Sequence, residues 1–105
     1  MGLDAQVFQD DNHTVALGHV RIGNLSAVVE LRRELETFSG GFPIVQQRVI
    51  YDGSHCGDSI PPSLVADLRA ELTRIPDGSA DLNRFKAEMI ALCEIALKHE
   101  RAIEF

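Results

Sequence analysis

From Pro62 to Ala96 the chain carries two apolar stripes at helical spacing, and they fix most of its second half as two helices. Val65, Leu68, Leu72 and Ile75 recur at intervals of three and four. Leu82, Phe85, Met89, Leu92 or Cys93, and Ala96 repeat the pattern, so each stretch presents one apolar face along a period of about 3.6 residues. Pro76-Asp77-Gly78 stops the first helix. Its start falls at Pro62, because a residue before proline is pushed out of the helical region and a proline at the first helical position loses little by lacking an N–H. Ser79 caps the next helix, and Asp81 in its first turn suits the positive end of the helix dipole. The closing residues Ala102-Ile103-Glu104-Phe105 are too few for a helix and apolar at alternate positions. A strand that short is stable only when paired inside a sheet.

Upstream the period is two. Leu3, Ala5 and Val7 alternate with Asp4 and Gln6, which predicts a half-buried strand. In the next strand Val15 and Leu17 share one phase and Val20 and Ile22 the other, with Gly18 at the change, as a bulge requires. The two form a hairpin across a loop near Asp10 to His13. From Asn24 the spacing lengthens again: Val28, Leu31, Leu35 and Phe38 make a stripe, with Glu30, Arg32, Arg33, Glu34 and Glu36 largely on the other side. Asn24 or Ser26 caps this first helix and Ser39-Gly40-Gly41 ends it. A third strand is expected within Ile44 to Tyr51, started by Pro43, although Gln46, Gln47 and Arg48 make its middle polar. The order strand, strand, helix, strand, helix, helix, strand predicts a single α+β domain: a four-stranded antiparallel or mixed sheet with three helices on one face. An uncovered edge or the second sheet face could support a homodimer.

Sixteen acids against ten bases leave a net charge of −6 on 105 residues, which disfavours nucleic acid and anionic membrane as partners, both being negative themselves. The opening MGLDAQVFQDDNH has an acid at Asp4 and no long apolar run, so neither a signal peptide nor a membrane span is expected, and the expected location is cytoplasmic. The two cysteines, Cys56 and Cys93, have no C-x-x-C spacing and do not suggest a disulfide framework, although a single bridge between them stays open. Cys93 lies on an apolar stripe and reads as core.

The stretch IYDGSHCGDSIPP concentrates what reactive chemistry there is. Asp52, Ser54 and Gly57 fit places one, three and six of a calcium loop, but Cys56 stands at place five and Ser63 at twelve, where a bidentate glutamate is needed. Asp52, His55, Cys56 and Asp58 all offer metal donors, yet no second ligand pair has recognisable spacing, and His13, His19 and His99 are scattered. Cys56 ahead of a helix could be a nucleophile with a lowered pKa. Its base would have to be His13 or His19, because the adjacent His55 points away in an extended segment. The plainest reading is a structural turn, in which Gly53 and Gly57 allow tight bends and Asp58 or Ser59 satisfies free N–H groups of the following helix. Between these lies a rigidly held recognition loop with Asp52, Ser54, His55, Cys56 and Asp58 as binding residues. A small cysteine-dependent enzyme or metal-binding protein is the alternative.

Taken together, MGLDAQVF, HVRIGNLSAVVELRRELE, FPIV and SHCGDSIPPSLVADLRAEL resemble a group of small bacterial proteins that includes immunity proteins of polymorphic toxin systems. Those proteins often carry a loop reading His-Ser-Asp-Cys-Asp-Gly followed by a proline-led helix. Ser54 and Cys56 match the loop, and Pro61 or Pro62 the helix start. His55 stands where the family has an acid, and Gly57-Asp58 reverses its Asp-Gly. The resemblance implies a role without catalysis or cofactor: binding a cognate toxin, with the Asp52 to Asp58 loop and the acids of the first helix as the surface. An acidic surface suits a toxin with a basic cleft, since complementary charge speeds association.

Overall fold

The structure, a computed structural model, describes residues 2–50 and 58–105. Strands β1 (Gly2–Phe8) and β2 (Ala16–Asn24) form the expected antiparallel hairpin, with Ala5 opposite Val20 and Val7 opposite Gly18. Its register shifts between Val7 and Phe8, beside Gly18, where the apolar phase of the sequence changes. A second shift, between Leu3 and Asp4, leads to Gly23, whose φ of +141° turns the chain from strand into helix. A Cβ at Gly23 would lie 2.7 Å from Ala27 Cβ, so the bend needs glycine for both its backbone and its space.

Helix α1 (Leu25–Leu35) starts at Asn24, whose Oδ1 accepts the Ala27 N–H at 2.9 Å. Helix α2 (Pro62–Arg74) starts at the second proline, and α3 (Ala80–His99) starts at Ser79, whose Oγ accepts the Leu82 N–H at 3.1 Å. Every residue named for the α2 and α3 stripes is buried. Between the two helices, Gly78 N–H donates to Asn83 Oδ1 at 2.9 Å while Asn83 Nδ2 donates back to the Gly78 carbonyl, which seals the turn.

The segment expected to be the third strand is different. Val45–Val49 is a π-helical turn in which the Ile50 N–H donates to the Val45 carbonyl at 2.9 Å. Two side chains satisfy the amides that a helix start leaves free: Gln46 Oε1 accepts the Phe42 N–H at 3.0 Å, and Glu71 Oε1, from α2, accepts the Val45 N–H at 2.7 Å. Glu71 is only 4% exposed, the sole buried charged residue among those described. Phe42, Val45, Val49 and Ile50 join the core, with the Arg74 guanidinium over the Phe42 ring at 5.5 Å. The third strand, β3, comes later and is only Ser59–Ile60.

Strand β4 (Ile103–Glu104) completes the sheet in the order β2-β1-β4-β3, all antiparallel: Gln6 faces Glu104, and Ser59 and Ile60 face Glu104 and Ile103. The inward residues Ala5, Val7, Val20, Ile22, Ile60 and Ile103 are buried beneath the helices. α1 and α3 pack on the sheet, and α2 packs against α3 and the π-helical turn. The opposite sheet face carries Asp4, Gln6, His19, Arg21 and Glu104, which is why it tolerates water. The fold is therefore α+β, an open four-stranded antiparallel sheet with its helices on one side. No helix among the described residues is long and apolar enough to cross a membrane.

Charged groups clasp the hairpin loop to the C-terminal segment. Arg101 Nε donates to the Phe8 carbonyl at 3.0 Å and its terminal nitrogen to Asp11 Oδ1 at 2.8 Å. That hydrogen bond, with the guanidinium charge, holds the Asp11 carboxyl below its ordinary value of 3.8. A carboxyl depressed in the folded state stabilises it above the unfolded pKa and loses that contribution as pH falls through the folded value. The Asp11→Asn variant is therefore expected to unfold at a lower temperature than the parent at neutral pH. The difference should close progressively below about pH 4, as thermal melts across the acid range will report.

Candidate functional site

Of the residues singled out in the sequence, Asp52, Ser54, His55 and Cys56 lie outside the described residues. Asp58 is described: it is half-buried, and its carbonyl accepts the Phe105 N–H at 3.0 Å just before β3. Ser59 belongs to β3, and the residue that caps α2 is Pro61, with no side-chain hydrogen bond. Asp58 therefore sits at the β3 edge, whereas α1 lies over β1 and β2, so the acids of α1 and Asp58 stand toward opposite edges of the sheet.

The hairpin histidines lie apart from each other. His19 Nε2 is 3.4 Å from Asp4 Oδ1 on the outer sheet face. His13 adopts a left-handed φ of 58°, its ring packs on Phe8 at 4.7 Å, and its Nε2 is 3.0 Å from Glu104 Oε2. Because Glu104 also faces Ser59, the terminal strand brings His13 and the Asp58–Ser59 end of the loop to the same part of the sheet. Cys93 is a buried free thiol, pushed up to about 12 by burial, and so stays protonated and inert at neutral pH.

A concavity among the described residues lies elsewhere. A cleft of about 640 Å³ opens between α1 and the start of α3, floored by Ile22, Ala27 and Leu31 and rimmed by Glu30, Arg33, Asp81 and Arg84. Its shape is set by Glu34. One carboxylate oxygen accepts the Ser79 N–H at 2.7 Å and the other accepts the Ser79 hydroxyl at 2.6 Å, while Ser79 Oγ itself caps Leu82. The carboxylate thus joins the last turn of α1 to the N-terminus of α3, whose helix dipole favours a negative charge. Gly78 makes the approach feasible, since a Cβ there would collide with Glu34 Oε2. Arg33 is partly engaged by Glu30 at 3.2 Å. Periodicity identifies Glu34 as a solvent-side helix residue, and nothing in the sequence links it to Ser79, 45 positions away.

The chain matches no family model, no curated protein and no solved structure. The geometry supports a preorganised, mixed-charge cleft open to solvent, whose walls are held together by one carboxylate. Glu34→Ala is expected to cost about 1–2 kcal/mol by removing both charge-assisted bonds. Combined with Ser79→Ala it should cost clearly less than the sum of the single losses, a coupling that a double-mutant cycle in urea will measure.

Proposed function

We propose that this protein is a non-enzymatic protein-binding module, an immunity protein that binds and neutralises a cognate bacterial toxin. The family resemblance supplies the partner class, and the observation that supports a binding role is the cleft between α1 and α3. It offers acids Glu30 and Asp81 and bases Arg33 and Arg84 on two helices clasped by Glu34 and Ser79. Walls fixed before binding lose little conformational entropy on association, and charges of both signs at a rim select orientation and partner. The net charge of −6 adds long-range attraction for a basic partner. Asp52, Ser54, His55, Cys56 and Asp58 form a second contact region in this reading.

Co-production with a toxin encoded beside it is expected to restore growth, and the purified pair to bind with an affinity that falls as salt rises. Charge reversal at the rim, Glu30→Lys with Asp81→Lys, should weaken the complex about tenfold or more and slow association. Absence of both protection and binding ends this reading.

One observation favours a second reading, a small cysteine-dependent enzyme. The imidazole of His13 is held by Glu104 on the strand that also receives the end of the Cys56 loop, which is the base-and-orienter half of a nucleophilic site. Since Cys93 is buried, native alkylation near neutral pH reads Cys56 alone. Under this reading Cys56 reacts faster than an unfolded control and His13→Ala slows it about tenfold, whereas equal rates remove the enzyme reading.

A further inference from the structure

Strand β2 is the one long open edge of the sheet. It pairs with β1 on one side, and no described residue pairs with the other. The opposite edge, β3, is two residues long and runs into Pro61-Pro62, which protects it against pairing with another chain. β2 has nine residues and contains neither proline nor lysine nor any acid. Beside it, Val20, Ala91, Leu92 and Ile95 line an open groove of about 280 Å³ between the strand and α3, with His19 and Glu88 at its rim.

The large hydrophobic side chains exposed in the described chain are Val15, Leu25 and Leu97, and two of them bracket this strand: Val15 is 49% exposed and Leu25 73%. They stand five residues to either side of Val20. We infer that β2 pairs antiparallel with β2 of a second copy about a two-fold axis at Val20, joining two four-stranded sheets into one of eight. In that register Val15 of each copy meets Leu25 of the other, so both exposed apolar residues are covered by a single symmetric contact. His19 faces Arg21 of the second copy, a juxtaposition that the Asp4 carboxylate of each protomer tempers, lying 3.4 Å from its own His19 and 3.7 Å from its own Arg21. Asp4 Oδ1 is buried and lacks a hydrogen-bond donor among the described residues, so its charge remains directed at His19 and Arg21.

The area reaches the lower bound for a specific interface. Such interfaces bury about 1,200–2,000 Å² in all, so each partner gives up at least about 600 Å², a tenth of this chain's 5963 Å². A nine-residue strand is about 30 Å long, and with the helix layer beneath it the edge wall is about 20 Å deep, which gives a strip of that size. The two register shifts lie toward the ends of β2 and leave Gly18 to Arg21 regular on either side of the proposed axis.

Self-pairing is read without any toxin, so its failure and that of the immunity reading are separately visible. Sedimentation from micromolar to submillimolar protein should show a species approaching twice 11.6 kDa. Leu25→Glu, an exposed change in the first turn of α1 that suits the helix dipole, should raise the dissociation constant about tenfold while leaving the circular dichroism of the monomer unchanged. In a Cys56→Ser background, Val15→Cys with Leu25→Cys should oxidise to a covalent dimer, because the two positions flank the opposite ends of β2 and become neighbours across the two-fold axis, whereas Leu97→Cys should not. A monomer at every concentration overturns the inference and leaves the edge to a foreign strand. So does a dimer that is indifferent to Leu25→Glu or that fails to cross-link between positions 15 and 25, since its interface then lies elsewhere.

Discussion

The sheet has four strands only while the last residues of the chain are seated between its first and third strands. Among the described residues β4 supplies the single partner of β3 and the second partner of β1, so without it the sheet reduces to an isolated hairpin, which is marginal in water. Seating requires α3 to stop and turn. Glu100 does this in a left-handed conformation, φ 53°, with its N–H donating to the carbonyls of Ala96 and Leu97. That conformation costs a non-glycine residue about 1–2 kcal/mol, comparable to the gain of about 1.5–3 kcal/mol from burying Ile103 completely. Arg101 and Glu104 then fasten the hairpin loop through Phe8, Asp11 and His13. Because the contact joins the two ends of the chain, it is among the most non-local in the molecule, and forming it carries a large loop-closure cost in folding.

This constraint also explains which parts of the fold were legible in the sequence. The helices were, with their caps at Asn24 and Ser79 and the start at Pro62, because stripe and cap are local signals, but α1 ends at Leu35, before Phe38 and the expected stop at Ser39-Gly40-Gly41. The hairpin and its phase change at Gly18 were legible for the same reason. The segment after Pro43 was not. Ile44, Val45, Val49 and Ile50 are β-branched and suggest a strand, yet Phe42, Val45 and Val49 already have helical spacing. What decides between the two is Glu71, which takes the Val45 N–H from α2, 26 residues away. A buried carboxylate on the flank of an apolar stripe looks like an ordinary polar helix position until its partner is known. β3, two residues against a double proline, has no period to detect.

The candidate site divides along the same line. The loop from Asp52 to Asp58 stands out in sequence because its residue types are reactive and close together, and of its five candidate residues Asp58 is the one among the described residues. The cleft between α1 and α3 does not stand out, because what builds it is tertiary: Glu34 reaching Ser79, and a glycine at position 78 leaving space for the carboxylate. Composition anticipates an acidic surface, but the rim that the fold assembles mixes Glu30 and Asp81 with Arg33 and Arg84. Net charge describes the field at a distance, whereas the order of charges along a rim is set by which helix faces are brought together.

The two proposed surfaces are not independent. Gly23 and Asn24, at the end of β2, also line the cleft, and Leu25 follows them directly. Pairing of β2 with a second copy would bring Val15 and the start of the partner's strand beside Leu25, at the mouth of the cleft. A toxin segment reaching only the Glu30 and Arg84 side would bind either form equally and leave the monomer–dimer balance unchanged. One that covers Asn24 and Leu25 must displace the second copy, and its apparent affinity would then fall as protein concentration rises, by the fraction of chains held as dimer. Leu25, exposed beside Asn24 at the joint between edge strand and cleft, would in that case link self-association to partner binding without any change in the fold.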